Sequence, residues 1–137
     1  ADGRPVPLAR TRGLIDEMHR QRAADGFGLW LFRFTETDGD GFAGYCGLRR
    51  QTVRNRPEIE LLYAVMPDLW DRGIATEMAT AVLAAADATF RLRETVAFTL
   101  TTNRGSVRVM EKTGFRFEAN FRREGLPHLL YRRKRPG

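Results

Sequence analysis

The chain has 137 residues, 42% hydrophobic and 29% charged, with 23 basic against 17 acidic side chains and a net charge of +6. That is enough for one domain, 1–137, with a sizeable core. No apolar run nears the roughly 18 residues of a membrane helix and no signal pattern opens the chain, so the expectation is a soluble cytoplasmic protein.

Cys46, the lone cysteine, excludes a disulfide framework and a cysteine-rich zinc site, and the two separated histidines, His19 and His128, suggest no metal cluster. Lys112 and Lys134 are the only lysines, and the other 21 bases are arginine. That balance favours anionic partners, either cofactor phosphates or an RNA surface.

In chain order, Ala1 to Pro7 reads as a loop or tether, and Leu14, Ile15 and Met18 place a short amphipathic helix over Thr11 to Ala24. Gly28 to Phe34 and Phe42 to Leu48, separated by the turn-rich Thr37 to Gly41, predict a β-hairpin. Cys46, inside the second strand, is expected to be a small core residue. Arg49 to Pro57 reads as a loop or frayed strand end before a third strand, Glu58 to Met66.

After Gly73 the period changes. Ile74, Met78, Ala81, Val82 and Ala85 form one stripe of an alanine-rich helix running to Ala88. Thr95 to Thr101 alternates as a strand. A second helix follows, with Asn103 as its N-cap and Gly114 as the left-handed residue that ends it. Phe115 to Phe121 and Leu126 to Arg132 close the chain as a strand pair, with Arg132 to Arg135 expected as a solvated tail. The order predicts an α/β fold with a mixed sheet.

The segment richest in chemistry is Glu60 to Glu77, a strand, a short turn holding Gly73, and at once the strongest helix. Free N–H groups at a helix start suit phosphate oxygens, and glycine lets a ligand approach the main chain. The segment is neither a P-loop nor a dinucleotide fingerprint.

Two motifs resemble the GNAT superfamily of acetyl-CoA-dependent N-acetyltransferases, in particular the branch acting on ribosomal-protein N-terminal alanine or serine. Trp70-Asp-Arg-Gly-Ile-Ala-Thr-Glu77 is similar to the branch's Trp-Gly-Lys-Gly-Tyr-Ala-Thr-Glu. Asn103-Arg-Gly-Ser106 with Glu111-Lys-Thr-Gly-Phe115 is similar to Asn-x-x-Ser-x-x-x-x-Glu-Lys-x-Gly-Phe. The resemblance covers Gly28 to the C-terminus. It implies a mostly antiparallel mixed sheet flanked by helices, lacking the branch's first strand and helix, as in a fragment or shortened member. It also implies acetyl-CoA as donor, a primary amine or protein N-terminus as acceptor, and a monomer or homodimer.

The resemblance further implies that main-chain N–H groups of Asp71, Arg72, Gly73, Ile74, Ala75 and Thr76 cradle the pyrophosphate. Val65 and Met66 would align the pantetheine arm and offer an N–H to the thioester oxygen, where acyl transfer develops negative charge. Arg72 is the side chain most readily assigned to the cofactor. Asp71 departs from the usual glycine and sets an acid beside the phosphates.

Glu60 matches the branch's strand glutamate and reads either as the base or as a salt-bridged strand carboxylate, with Glu58 as fallback. The superfamily's usual acid position holds Met110. Ser106 inherits the thiolate-partner role, or instead caps backbone in the first helical turn. Asn103 reads as pantetheine contact, N-cap or both, and Tyr63 as acceptor-pocket wall or core. Rival readings are a CoA-binding module without turnover, a small-molecule amine acetyltransferase and a basic RNA-binding domain, the last disfavoured because the aromatics sit in apolar strands and not along a basic stripe.

Overall fold

A computed structural model describes Arg20, residues 26–33 and residues 42–136, apart from the side chain of Leu69. The turn over Thr37 to Gly41 and nearly all of the helix expected over Thr11 to Ala24, including His19, lie outside the described residues. The elements are β1 (Leu29–Arg33), β2 (Phe42–Val53), β3 (Arg56–Val65), α1 (Ile74–Ala88), β4 (Glu94–Leu100), α2 (Arg104–Lys112), β5 (Arg116–Arg123) and β6 (Leu126–Lys134). The six strands form one sheet in the order β1-β2-β3-β4-β6-β5. Every neighbouring pair is antiparallel except β3 and β4, which α1 connects as a parallel crossover.

The loop expected over Arg49 to Pro57 is instead the end of one long hairpin. β2 and β3 stay in register from Gly44↔Val65 to Val53↔Arg56, and Arg54 and Asn55 turn with φ of 51° and 63°. Two consecutive left-handed residues match the twist of the flanking strands. Inward-facing Val53, 1% exposed, anchors this end of the hairpin. Of the polar residues that suggested a loop, Arg50 and Thr52 are the exposed half of a strand alternation, and Arg49 and Gln51 share the face of Val53.

Alternation also divides the core. Leu61 and Tyr63 join Cys46, Leu48 and Ala97 beneath Met78, Val82, Leu83 and Ala86 of α1 and Met110 of α2. Leu62 joins Leu29 and Tyr45 on the other face, where Val53, Val96 and Leu130 form a further cluster. Each such aliphatic side chain contributes roughly 1.5–3 kcal/mol through burial. Cys46 is fully buried, and burial pushes its thiol far above the usual range, as a packing residue and not a nucleophile requires.

α2 starts and stops as its sequence dictates. Asn103 Oδ1 accepts the Ser106 N–H at 3.1 Å, and Gly114, at φ 95°, lets the Phe115 N–H reach Met110 O at 2.9 Å while Phe115 is buried. The expected basic tail, by contrast, belongs to the sheet. Arg132 lies in β6, and its side chain, 10% exposed, bonds Glu58 at 2.6 Å, Glu118 at 2.7 Å and Glu94 at 3.1 Å. Arg133 bonds Asp87 of α1 at 2.7 Å.

One departure from regular pairing positions everything that follows. β3 and β4 are in register only at Glu60↔Val96. Beyond that point β3 continues to Val65 and β4 to Leu100 without pairing to each other, and the sheet forks.

Candidate active site

The fork opens into a cleft of about 430 Å³ between the end of β3, the loop before α1, the first turn of α1 and one face of α2. Tyr63, Ala64 and Val65 form the strand wall, Trp70, Asp71, Gly73, Ile74, Ala75 and Thr76 the loop and helix start, and Asn103, Gly105, Ser106, Arg108, Val109 and Lys112 the α2 wall.

The direction of the strand N–H groups follows from pairing. The Met66 N–H donates to Ala43 O at 3.0 Å, so it faces β2. Antiparallel alternation then turns the N–H groups of Val65 and Tyr63 toward the fork. Of the two residues assigned to the pantetheine arm, Val65 lines the cleft and Met66 does not.

The loop owes its shape to two left-handed residues, Asp71 at φ 65° and Gly73 at φ 75°. The first explains why glycine is usual at Asp71's position, since aspartate is among the few side chains that tolerate this conformation. Gly73 is the N-cap of α1 but has no side chain to cap it, and the first helical bond runs from Glu77 N–H to Gly73 O at 3.1 Å. The preceding N–H groups of Ile74, Ala75 and Thr76 therefore precede the helical ladder, at the positive end of the helix dipole and on the wall of the cleft. Trp70 Nε1 donates to Val65 O at 2.9 Å and ties the loop to the end of β3. Arg72 is exposed and does not line the cleft.

Ser106 and Tyr63 meet inside the cleft, with Tyr63 Oη 2.6 Å from Ser106 Oγ and 3.3 Å from Ser106 O. Both are buried. Burial pushes the Tyr63 phenol up to about 12, against a smaller downward pull from the Ser106 hydrogen bond. Asn103 both caps α2 and lines the cleft, so the Ser106 hydroxyl is not the helix cap.

Glu60 stands apart. It sits at the fork with its side chain on the sheet face away from Tyr63, buried, and its Oε1 accepts from Arg49 Nε at 2.8 Å. The salt-bridged alternative is thus formed. Glu58 is held by Arg132 and is no nearer the cleft.

Sequence reasoning did not single out Arg108 and Lys112, two cations on the α2 wall. Their four-residue spacing, which sets both on one helix face, was the available signal.

A model of the acetyltransferase (GNAT) domain matches residues 2–116. The chain belongs to the GNAT family. It is 29% identical over 125 residues to the uncharacterized protein YkkB of Bacillus subtilis, covering 91% of this chain and 72% of YkkB. A Bordetella pertussis protein described as a GnaT-family acetyltransferase superposes with a TM-score of 0.79 at 24% identity, over 93% of this chain and 78% of the other. An acetyltransferase from Agrobacterium tumefaciens gives 0.76 at 26% identity, over 95% and 74%.

The GNAT fold explains the forked sheet, and membership makes the chain an N-acetyltransferase that takes acetyl groups from acetyl-CoA and gives them to an amine. The cleft fits that donor chemically. It offers uncapped helix N–H groups, two cations and a strand edge with inward N–H groups, all in one groove. Among the described residues no helix is long and apolar enough to cross a membrane.

Proposed function

We propose that this GNAT chain acetylates protein N-termini by direct transfer in a ternary complex, in the manner of the branch that modifies ribosomal-protein alanine or serine termini. The observation that supports direct transfer is the convergence of Tyr63, Val65, Asp71, Gly73 to Thr76, Asn103 and Ser106 on one groove at the fork; the N-terminal acceptor rests on the branch-like motifs. The branch-like motifs around Trp70 and Asn103 lie on its opposite walls.

In this reading the N–H groups of Asp71 to Thr76 hold the pyrophosphate, and Arg108 and Lys112 add positive charge on the facing wall. The Val65 N–H points at the thioester oxygen, where negative charge develops. Ser106 protonates the departing sulfur. Glu60, at the fork on the opposite face, takes a proton from the incoming ammonium directly or through water. Acetyl-CoA itself supplies the activated acyl group.

The test is calorimetry with acetyl-CoA, desulfo-CoA and ATP, followed by thiol release with alanine- and serine-starting peptides, their N-terminally blocked forms and small aliphatic amines. Acetyl-CoA binding with turnover confined to unblocked peptides is expected. Turnover confined to small amines removes the N-terminal reading and leaves the family activity in place.

A further inference from the structure

We infer that the Tyr63 hydroxyl stands behind Ser106 as its proton source, so that the two residues act as one relay toward the departing sulfur. This rests on the role of Ser106 proposed above. The contact is short, 2.6 Å between Tyr63 Oη and Ser106 Oγ, and both residues line the cleft while being 8% and 6% exposed.

Three features separate the pair from ordinary packing. Asn103 caps α2, which leaves the Ser106 hydroxyl to the cleft and to Tyr63. The residue at the superfamily's usual acid position, Met110, is 1% exposed, packed in the core and has no proton to give. Tyr63 also comes from the part of β3 beyond the fork, so its hydroxyl meets α2 across the open cleft and not across a paired strand. A phenol held up to about 12 by burial keeps its proton throughout the neutral range, as a donor must.

The proton count closes without an outside reagent. Ser106 gives its hydroxyl proton to sulfur as the carbon–sulfur bond breaks, and Tyr63 gives its own to Ser106. Glu60 has by then passed the ammonium's first proton to solvent, and the second, shed by the nitrogen as the nitrogen–carbon bond forms, returns to Tyr63 by way of Ser106. Nothing is oxidised or reduced, and one proton has moved from nitrogen to sulfur. Tyr63 acts through Ser106 and is a positioning residue in that sense.

The experiment uses the full chain, acetyl-CoA and an alanine-starting peptide, with Tyr63→Phe, Ser106→Ala and the double variant. Single-turnover rate, calorimetric acetyl-CoA affinity, thermal midpoint and the rate in mixtures of light and heavy water are measured together. Each single variant is expected to lose about 100-fold in rate, and the double variant no more than the worse single, because one unit is being removed. Acetyl-CoA affinity should stay within about threefold of the parent, since ground-state binding is left intact. The parent's rate should fall along a curve with heavy-water fraction, reporting two protons in flight, and that of Tyr63→Phe along a straight line.

A parent that gives a straight line, or a Tyr63→Phe variant that keeps the parental rate, overturns the relay. So does a variant whose rate falls only in step with affinity and midpoint. A parent that binds acetyl-CoA and acetylates no peptide overturns the proposed function first, and is recognised because it precedes any comparison of variants.

Discussion

Two regions around this sheet handle charge in opposite ways. Around β6, Arg132 gathers Glu58, Glu94 and Glu118, and Arg133 holds Asp87, so cations and carboxylates are consumed by each other. At the fork, Arg108 and Lys112 face a cleft beside uncapped helix N–H groups. The first region uses its charge to tie β3, β4, β5 and β6 together, and the second holds positive potential ready for an anionic ligand. A basic composition thus serves two purposes that only the fold separates.

The sharpest way to break that contrast is Arg132→Ala. It strands Glu58, whose side chain is 9% exposed, beside two other carboxylates. Removing one partner of a buried ion pair costs about 3–5 kcal/mol, so chemical denaturation should show a loss of that order. Acetyl-CoA affinity, read by calorimetry below the unfolding transition, should stay near parental because none of these side chains lines the cleft. The same network sets an acid limit. Hydrogen bonds from Arg132 and Arg133 hold Glu118 and Asp87 below the usual carboxylate range. Their folded values lie under their unfolded ones, so their contribution is full above the unfolded values of about 4 and is lost as pH falls toward the folded ones. A thermal-midpoint scan should decline there, and the decline should be shallower in Glu118→Gln.

At the fork, the informative change is Asp71→Gly. Asp71 holds φ 65°, a conformation that costs an L-residue about 1–2 kcal/mol, less for aspartate than for most. It also sets a negative charge on the wall of the proposed phosphate site. Glycine removes both penalties. A stability gain of up to about 1 kcal/mol and an acetyl-CoA dissociation constant lowered by roughly threefold to tenfold are expected. Asp71→Ala separates the two effects: affinity should rise as with glycine while stability falls.

Helices α1 and α2 and the turn before α1 were legible because their signals are local. The alanine-rich stripe after Gly73, the Asn103 cap and the Gly114 stop each lie within a few residues. The β2-β3 turn escaped because Arg54 and Asn55 hold left-handed conformations without a glycine to announce them. The terminal arginines read as a tail because a run of like charges hides period-two alternation, and the carboxylates that bury Arg132 are up to 74 residues away. For the same reason the Tyr63 contact with Ser106, 43 residues apart, was not visible, although each residue had been singled out.

The smallest effect expected is also the most specific to the cleft. Trp70 is 41% exposed, so its indole adds little to the core, yet its Nε1 bond to Val65 O pins the loop to the edge of β3. Trp70→Phe keeps a ring and deletes that bond. A neutral hydrogen bond contributes about 0.5–1.5 kcal/mol, and an exposed one sits at the lower end because water replaces it. The thermal midpoint should therefore barely move. The loop and the strand edge, however, are proposed to grip two parts of one acetyl-CoA, so releasing one from the other should weaken calorimetric affinity by about twofold to fivefold, paid as loop ordering on binding. A midpoint loss comparable to that of Arg132→Ala, with affinity unchanged, would instead place the indole in the protein's structural framework and remove the loop's tether from the account of the cleft.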